Sequence, residues 1–165
     1  MHEAFLAFGG NLGDAAVTLL DALSRLRRAP GIVQVQPSSL YRTSPVDSSG
    51  PDYVNAVARV HTTLTADALL ALCQQLECEF GRVRPVGVHN APRTLDVDIL
   101  TYDALECASA TLCIPHPRML ERLFVLVPLE EIAPRWCAPD GTPIAELIAR
   151  VAHGDPSQQI QKMVA

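Results

Sequence analysis

The sequence predicts one α+β domain, a ferredoxin-like split βαβ fold with an antiparallel sheet and extra helices towards the C-terminus. The chain has 165 residues, of which 48% are hydrophobic, so it can bury a core of ordinary size. Its apolar residues alternate between strand-like and helix-like spacing, in the order strand, helix, strand, strand, helix, strand and further helices. That is the order of the split βαβ arrangement. We expect the core at residues 3–152 and a polar tail at residues 153–165.

Local signals support each predicted element. Asp14 and Thr65 are placed to cap the first and second helices, and Pro30 with Gly31 ends the first. Pro128 should break the helical region after His116 into two pieces. In chain order we expect a strand at 5–8, the first helix, strands at 32–36 and 39–43, a strand at 53–61, the second helix, a strand at 95–102, helical segments after 116 and a last helix from Pro143.

The strand at 53–61 has two distinct faces, because alternate residues of a strand point to opposite sides. One face should lie in the core and carries Val54, Ala56, Ala58 and Val60. The other can meet a ligand or solvent and carries Tyr53, Asn55, Val57, Arg59 and His61.

Composition excludes several classes of protein. No apolar run reaches the ~18–20 residues of a membrane span, and no signal peptide is evident, so we expect a cytoplasmic protein. The five cysteines lack zinc-finger spacing and are interpreted as reduced thiols. A net charge of −5 argues against a nucleic-acid binder. An arginine cluster at 82–93 in this acidic chain indicates a small anionic ligand.

Asp96 and Asp98 are the first candidates for chemistry. They share one face of the predicted strand at 95–102, with Cα atoms ~6.6 Å apart, while their apolar neighbours face the core. Two carboxylates on one face repel each other, and a magnesium ion would relieve that repulsion. The alternative is a solvated strand face, and from these two residues alone both interpretations stay open.

Three arginines flank this acidic pair. Arg82, Arg84 and Arg93 each present a planar fork that matches phosphate oxygens. Lys162 is the single lysine of the chain, so a phosphate clamp must be built from arginine. A surface ion pair is the alternative for any one of them.

Other candidates are weaker. His116, between two prolines, is placed to donate to a phosphate or to cap a helix. The segment 9–14 fits neither common phosphate-loop pattern and is better interpreted as a tight strand-to-helix turn. Tyr53, Asn55 and Phe124 suit a planar heterocycle with hydrogen-bonding edges.

Taken together, these motifs resemble the 6-hydroxymethyl-7,8-dihydropterin pyrophosphokinases of folate biosynthesis. The resemblance runs from residue 5 to about residue 134, and the segments PRTLDVDIL and PHPRM carry most of it. The matching segments are GGNLGD (9–14), SLYRTSPV (39–46), PDYVNA (51–56), GRVR (81–84), APRTLDVDIL (91–100) and IPHPRM (114–119).

The resemblance implies that ATP gives its β,γ-pyrophosphoryl unit to the pterin hydroxymethyl group and releases AMP. It implies that Asp96 and Asp98 hold two magnesium ions and that Arg82 and Arg93 act on the phosphates. The expected ATP contacts are Gln74, Glu77, Arg82, Arg84, Arg93, Ile99, Leu112, His116 and Arg122. The expected pterin contacts are Thr43, Ser44, Val46, Tyr53, Asn55 and Phe124. We expect small-molecule substrates, no nucleic-acid or membrane partner, and a monomer.

Three positions depart from the family pattern. Asn90 stands where some members have a tryptophan that closes over the pterin, Pro85 where a basic residue is common, and Cys113 where a threonine can occur. Two rival functions share part of the pattern. Another two-metal phosphohydrolase or nuclease would need the aspartates and arginines without a pterin pocket, and a non-catalytic ferredoxin-like module would need neither.

Overall fold

Two pairs of helices sandwich a six-stranded sheet in the computed structural model, which describes residues 1–44, 52–80 and 94–163. The strands are β1 (His2–Gly10), β2 (Ile32–Pro37), β3 (Tyr41–Thr43), β4 (Tyr53–Thr62), β5 (Asp96–Tyr102), β6 (Cys107–Ala108), β7 (Cys113–Ile114) and β8 (Ile160–Lys162). The helices are α1 (Ala15–Arg27), α2 (Ala66–Glu79), a short 3-10 helix (Met119–Glu121), α3 (Leu123–Ile132) and α4 (Ile144–Gly154).

The main sheet has the strand order β5-β1-β4-β3-β8, and β2 pairs with β4 beside β3. All of its pairings are antiparallel. Each of the two βαβ units is therefore split by a strand of the other: β4 lies between β1 and β2, and β1 lies between β4 and β5. The predicted α+β, ferredoxin-like fold is confirmed.

Helices α1 and α2 begin where the sequence predicts. The Asp14 side chain accepts a hydrogen bond from the Val17 N–H at 3.3 Å, and Thr65 accepts one from the Ala68 N–H at 3.2 Å. Each satisfies a backbone donor that the first helical turn leaves without a partner. Gly13, at φ +61°, makes the turn into α1 in a conformation that favours glycine. The apolar faces of α1 and α2 pack on one side of the sheet and form the larger core.

The second face of β4 corrects a prediction. We expected that it can meet a ligand or solvent, but Val57 is 0% exposed and lies in a second core with Leu126 and Leu129 of α3. Helices α3 and α4 cover this face, and only part of it is left for a ligand. Burial under α3 explains why Val57 is apolar although its neighbours on this face of β4 are polar.

The prediction that Pro128 breaks the helix is wrong. Pro128 lies inside α3, and the interruption falls earlier, around Arg122, where the backbone is extended. A proline inside a helix removes one backbone hydrogen bond and costs about 3 kcal/mol. Pro128 is buried, and its neighbours Leu126 and Leu129 are fully buried, so packing offsets this cost.

The C-terminal segment carries a strand that the sequence analysis did not predict. The expected boundary between core and tail, at residues 152 and 153, falls inside α4, and β8 then pairs with β3. The predictions for the loops at 46–51 and 82–92 lie outside the described residues. Within the described ranges, none of the helices is long and apolar enough to cross a membrane.

Candidate active site

Asp96 and Asp98 share one face of β5, as the alternation predicts. Val97 and Ile99 are each 4% exposed and lie in the larger core, whereas both aspartates are partly buried on the opposite face. Among the described residues, β5 is an edge strand of the sheet and pairs with β1. The carboxylates therefore lie on the α3 face of this strand.

Glu77 fixes the backbone between the two aspartates. Its carboxylate is 6% exposed and accepts a hydrogen bond from the Val97 N–H at 3.0 Å. An outward-facing N–H of an edge strand has no neighbouring strand to bond, and α2 supplies the acceptor through this side chain. Glu77 therefore sets the position of the strand that carries Asp96 and Asp98.

Gly9 separates the aspartates from the polar side chains of β4. The Cα register places Asp96 opposite Gly9, and Gly9 opposite Asn55. Paired residues point to the same face, so Asp96 and Asn55 stand two strand spacings apart, ~9.5 Å, on either side of a residue with no side chain. A Cβ on Gly9 would lie 2.8 Å from the Asn55 side-chain nitrogen. Gly9 thus leaves the sheet surface between Asp96 and Asn55 free of a side chain, and we call this surface at Gly9 the floor of the site.

Asn55 is held in one orientation. The Thr43 hydroxyl donates to its Oδ1 at 2.6 Å, and both side chains are buried, at 5% and 6% exposure. Because Oδ1 accepts this bond, the NH₂ group of Asn55 is directed towards Gly9. The site therefore presents a fixed amide donor beside the open floor. Tyr53, on the same face of β4, is partly buried next to it.

His116 belongs to the same cluster of charges. Its main-chain N–H donates to the Leu100 carbonyl at 2.9 Å, which places the residue beside β5. Its Nδ1 accepts from the Arg118 N–H at 3.3 Å, so the proton of the neutral ring is on Nε2 and can be donated. Burial lowers the pKa of His116, Asp98 and Asp96 raise it, and Arg122 with Arg118 lowers it further, with a net decrease.

Arg122 brings positive charge to the acidic pair. Burial and the charge of Arg118 lower its pKa, and the carboxylates of Asp98 and Asp96 act in the opposite direction. Its guanidinium lies over the Phe124 ring, 5.2 Å from the ring centroid. A cation stacked on an aromatic ring is held in place without consuming its hydrogen-bond donors. The N–H groups of Arg122 thus remain suited to phosphate oxygens.

The remaining predicted site residues fall into three groups. Ser44 is partly buried at the end of β3, and Gln74 is exposed on α2. Ile99 and Leu112, predicted to border adenine, are buried in the larger core at 4% and 9% exposure. The residues that lie outside the described ranges are Val46, Arg82, Arg84 and Arg93, together with the lid position Asn90.

The part that Gly9 plays was not predicted from the sequence. We interpreted the segment 9–14 as a tight turn, and Gly13 with Asp14 fits that interpretation. Gly9 instead lies within β1, opposite Asn55. Only the strand register could have revealed this contact, because the sequence does not show which β4 residue faces Gly9.

The chain is similar to known proteins in sequence and in fold. The family model of the 7,8-dihydro-6-hydroxymethylpterin-pyrophosphokinases (HPPK) matches residues 5–134. The chain belongs to the HPPK family. The resemblance stated from the motifs is therefore confirmed over most of the chain.

Named relatives agree with this assignment. A 2-amino-4-hydroxy-6-hydroxymethyldihydropteridine pyrophosphokinase of Methylorubrum extorquens is 39% identical over 158 residues, which cover 95% of this chain and 96% of the relative. The enzyme of the same name from Bacillus subtilis is 40% identical over 130 residues, covering 78% and 77%. These two relatives thus align with 95% and 78% of the chain.

Solved structures support the fold. A crystal structure of an HPPK-DHPS in complex with substrates superposes with a TM-score of 0.71 at 13% identity. The superposition covers 93% of this chain and 46% of that one, so this chain spans about half the length of the fused protein. At this identity the likeness shows the fold alone.

Proposed function

We propose that this chain catalyses ATP-dependent pyrophosphoryl transfer to the hydroxymethyl group of 6-hydroxymethyl-7,8-dihydropterin. The acceptor oxygen bonds to the β-phosphorus of ATP, the bond from that phosphorus to the bridging oxygen of the α-phosphate breaks, AMP leaves, and the hydroxyl proton is lost. Family membership over residues 5–134 supports the reaction class. ATP is the pyrophosphoryl donor, and the pterin is the acceptor.

One observation carries the assignment of the site. Asp96 and the Asn55 amide face the same side of the sheet on opposite flanks of Gly9. A charged phosphate chain at the aspartates and a planar pterin at Asn55 can then meet above the open floor. In-line transfer depends mainly on such positioning and on charge neutralisation.

The residues present fit magnesium. Asp96 and Asp98 offer hard oxygen donors on one accessible face, and magnesium is usually held by one or two carboxylates together with substrate phosphates and waters. In the ranges 1–44, 52–80 and 94–163, no group of three or more His, Cys, Asp or Glu side chains could enclose a metal. A site completed by the nucleotide matches this donor set. The two ions expected from the family would supply charge neutralisation along the triphosphate.

The protein's own groups then act on the phosphates. His116 presents a donor on Nε2, and Arg122 presents a guanidinium stacked on Phe124. We propose that both contact the nucleotide phosphates opposite the aspartates. Arg82, Arg84 and Arg93, which rest on the family resemblance, are proposed to complete the clamp.

The pterin pocket is proposed on the β4 side. The Asn55 NH₂ group, oriented by Thr43, can donate to a ring nitrogen or carbonyl of the heterocycle. Tyr53 and Phe124 supply aromatic surface, and Ser44 and Val46 border the pocket by resemblance. A site built to hydrogen-bond the edge of a ring discriminates strongly against analogues that lack the matching group.

Product analysis tests the reaction. Purified protein is incubated with ATP and magnesium, with and without the hydroxymethyl pterin, and nucleotides are separated by chromatography. We expect AMP only when pterin is present, in a 1:1 ratio with pterin pyrophosphate. Release of ADP or inorganic phosphate without pterin would instead favour a phosphohydrolase. Absence of any turnover by folded, metal-replete protein would favour a binding module.

A further inference from the structure

The N-terminus of α3 is held by a side chain from the C-terminal segment. The Gln158 side chain accepts a hydrogen bond from the Leu123 N–H at 2.9 Å and donates one to the Glu121 carbonyl at 3.0 Å. One amide group therefore bonds the residues on both sides of Arg122. A neighbouring β-strand would make the same two bonds to an extended residue.

The two Gln158 hydrogen bonds act where neighbouring residues do little to fix the backbone. Arg122 has φ −124° and ψ +116°, and its side chain makes no capping hydrogen bond to α3. The Leu123 N–H is one of the donors that a helix start leaves without an internal partner. Gln158 satisfies that donor from a distance of 35 residues along the chain. The extended backbone at Arg122 is thus fixed by a long-range contact.

The segment around Gln158 is held by contacts before and after this residue. The Asp155 carboxylate lies 3.3 Å from the Gln158 side-chain nitrogen and accepts from it. Two residues further on, Ile160 begins β8, where it pairs with Thr43. The segment 155–162 therefore connects the backbone under Arg122 to the strand that orients Asn55.

We propose that Gln158 is a positioning residue of the enzyme, which sets the reach of Arg122 towards the nucleotide phosphates. The amide fixes the backbone on each side of Arg122, and stacking on Phe124 fixes the guanidinium. The charge of Arg122 then meets the phosphates at a defined place. This inference rests on the proposed function, in which Arg122 contacts ATP.

A double-mutant cycle tests the inference. Gln158→Leu removes the two hydrogen bonds that flank Arg122, together with the one to Asp155, at similar volume. Gln159→Leu is the matched control, because Gln159 is the exposed neighbour. We expect Q158L to lower kcat/KM for ATP by about tenfold to hundredfold, since misplacing a catalytic contact by ~1 Å can cost that much. We expect Q159L to stay within about twofold of wild type.

The decisive measurement uses the double variant that combines Q158L with Arg122→Ala. If Gln158 acts through Arg122, adding Q158L to R122A lowers kcat/KM by less than about twofold, because the group that it positions is gone. An undiminished loss from Q158L in the R122A background would overturn the inference, and so would wild-type activity of Q158L alone. Unchanged activity of R122A alone would instead count against the proposed function.

A second variant covers the case in which Q158L does not fold. Gln158→Glu keeps an acceptor for the Leu123 N–H and loses the donor to the Glu121 carbonyl and to the Asp155 carboxylate. We expect a smaller loss in kcat/KM that is again absent in the R122A background. Equal losses in both backgrounds would overturn the inference. Circular dichroism and the thermal midpoint identify any variant that is unfolded.

Discussion

Gly9→Ala tests the open floor of the site. The new Cβ would lie 2.8 Å from the Asn55 side-chain nitrogen, whereas ordinary contacts begin at 3.4 Å, so 3.4 − 2.8 = 0.6 Å of displacement is needed. Asn55 cannot yield freely, because it is 6% exposed and accepts the 2.6 Å hydrogen bond from Thr43. Overpacking of this kind typically costs about 1–3 kcal/mol.

The cost should appear in both binding and stability. If the displaced amide loses its place against the pterin, 1–3 kcal/mol corresponds to a roughly 5- to 150-fold weaker pterin affinity. The same strain should lower the unfolding midpoint by about 2–4 °C per kcal/mol. The three nearest atoms to the new Cβ all belong to β4, so nucleotide affinity should change much less.

Calorimetric titration with pterin and with a non-hydrolysable ATP analogue measures both affinities, and a thermal scan gives the midpoint. Gly154→Ala is the matched control, because a Cβ there meets no atom within 4 Å. We expect G154A to keep the wild-type pterin affinity and not to lower the midpoint. If G9A also bound pterin as tightly as wild type, Gly9 would not be needed to keep this floor open.

Three further predictions follow from individual contacts. Thr43→Val removes the hydroxyl donor that orients Asn55. Pterin affinity measured by calorimetry should then fall about tenfold, while nucleotide affinity is retained. Equal losses of the two affinities would contradict this. Arg122→Ala should raise KM for ATP more than KM for pterin in steady-state assays, and the reverse order would count against a phosphate contact. Glu131→Gln should lower the free energy of unfolding by about 1–3 kcal/mol at pH 7, because its carboxylate accepts hydrogen bonds from the Ser39 N–H, the Ser39 hydroxyl and the Tyr41 hydroxyl. Burial raises the pKa of Glu131, but hydrogen bonds and nearby positive charge lower this pKa overall. The stability that the carboxylate contributes is therefore present above pH 4.5 and is lost as pH falls through the folded-state pKa. Urea titrations should show that the loss of unfolding free energy in E131Q shrinks in acid, and a loss that stays constant with pH would contradict this.

Local signals predicted much of the fold because they act within a few residues. The caps at Asp14 and Thr65 and the alternation around Val97 depend only on neighbouring positions. The order of elements then restricts the topology to the split βαβ arrangement. The shared face of Asp96 and Asp98 followed from the same alternation.

Long-range packing decided what the sequence did not predict. The contact between Gly9 and Asn55 depends on the register of β1 against β4. The burial of Val57 depends on α3 crossing the sheet, and the same core accommodates Pro128 inside that helix. Gln158 lies in a polar segment that no local pattern connects to α3. In each case the partner is distant in sequence, so periodicity alone carries no information about it.

A crystal structure with a non-hydrolysable ATP analogue, magnesium and the hydroxymethyl pterin tests the proposed site most directly. We expect magnesium on Asp96 and Asp98, phosphates against Arg122, and the pterin hydrogen-bonded to Asn55. The hydroxymethyl oxygen should face the β-phosphorus above Gly9. Phosphates bound away from the aspartates, or a pterin on another face of the sheet, would contradict the central claim.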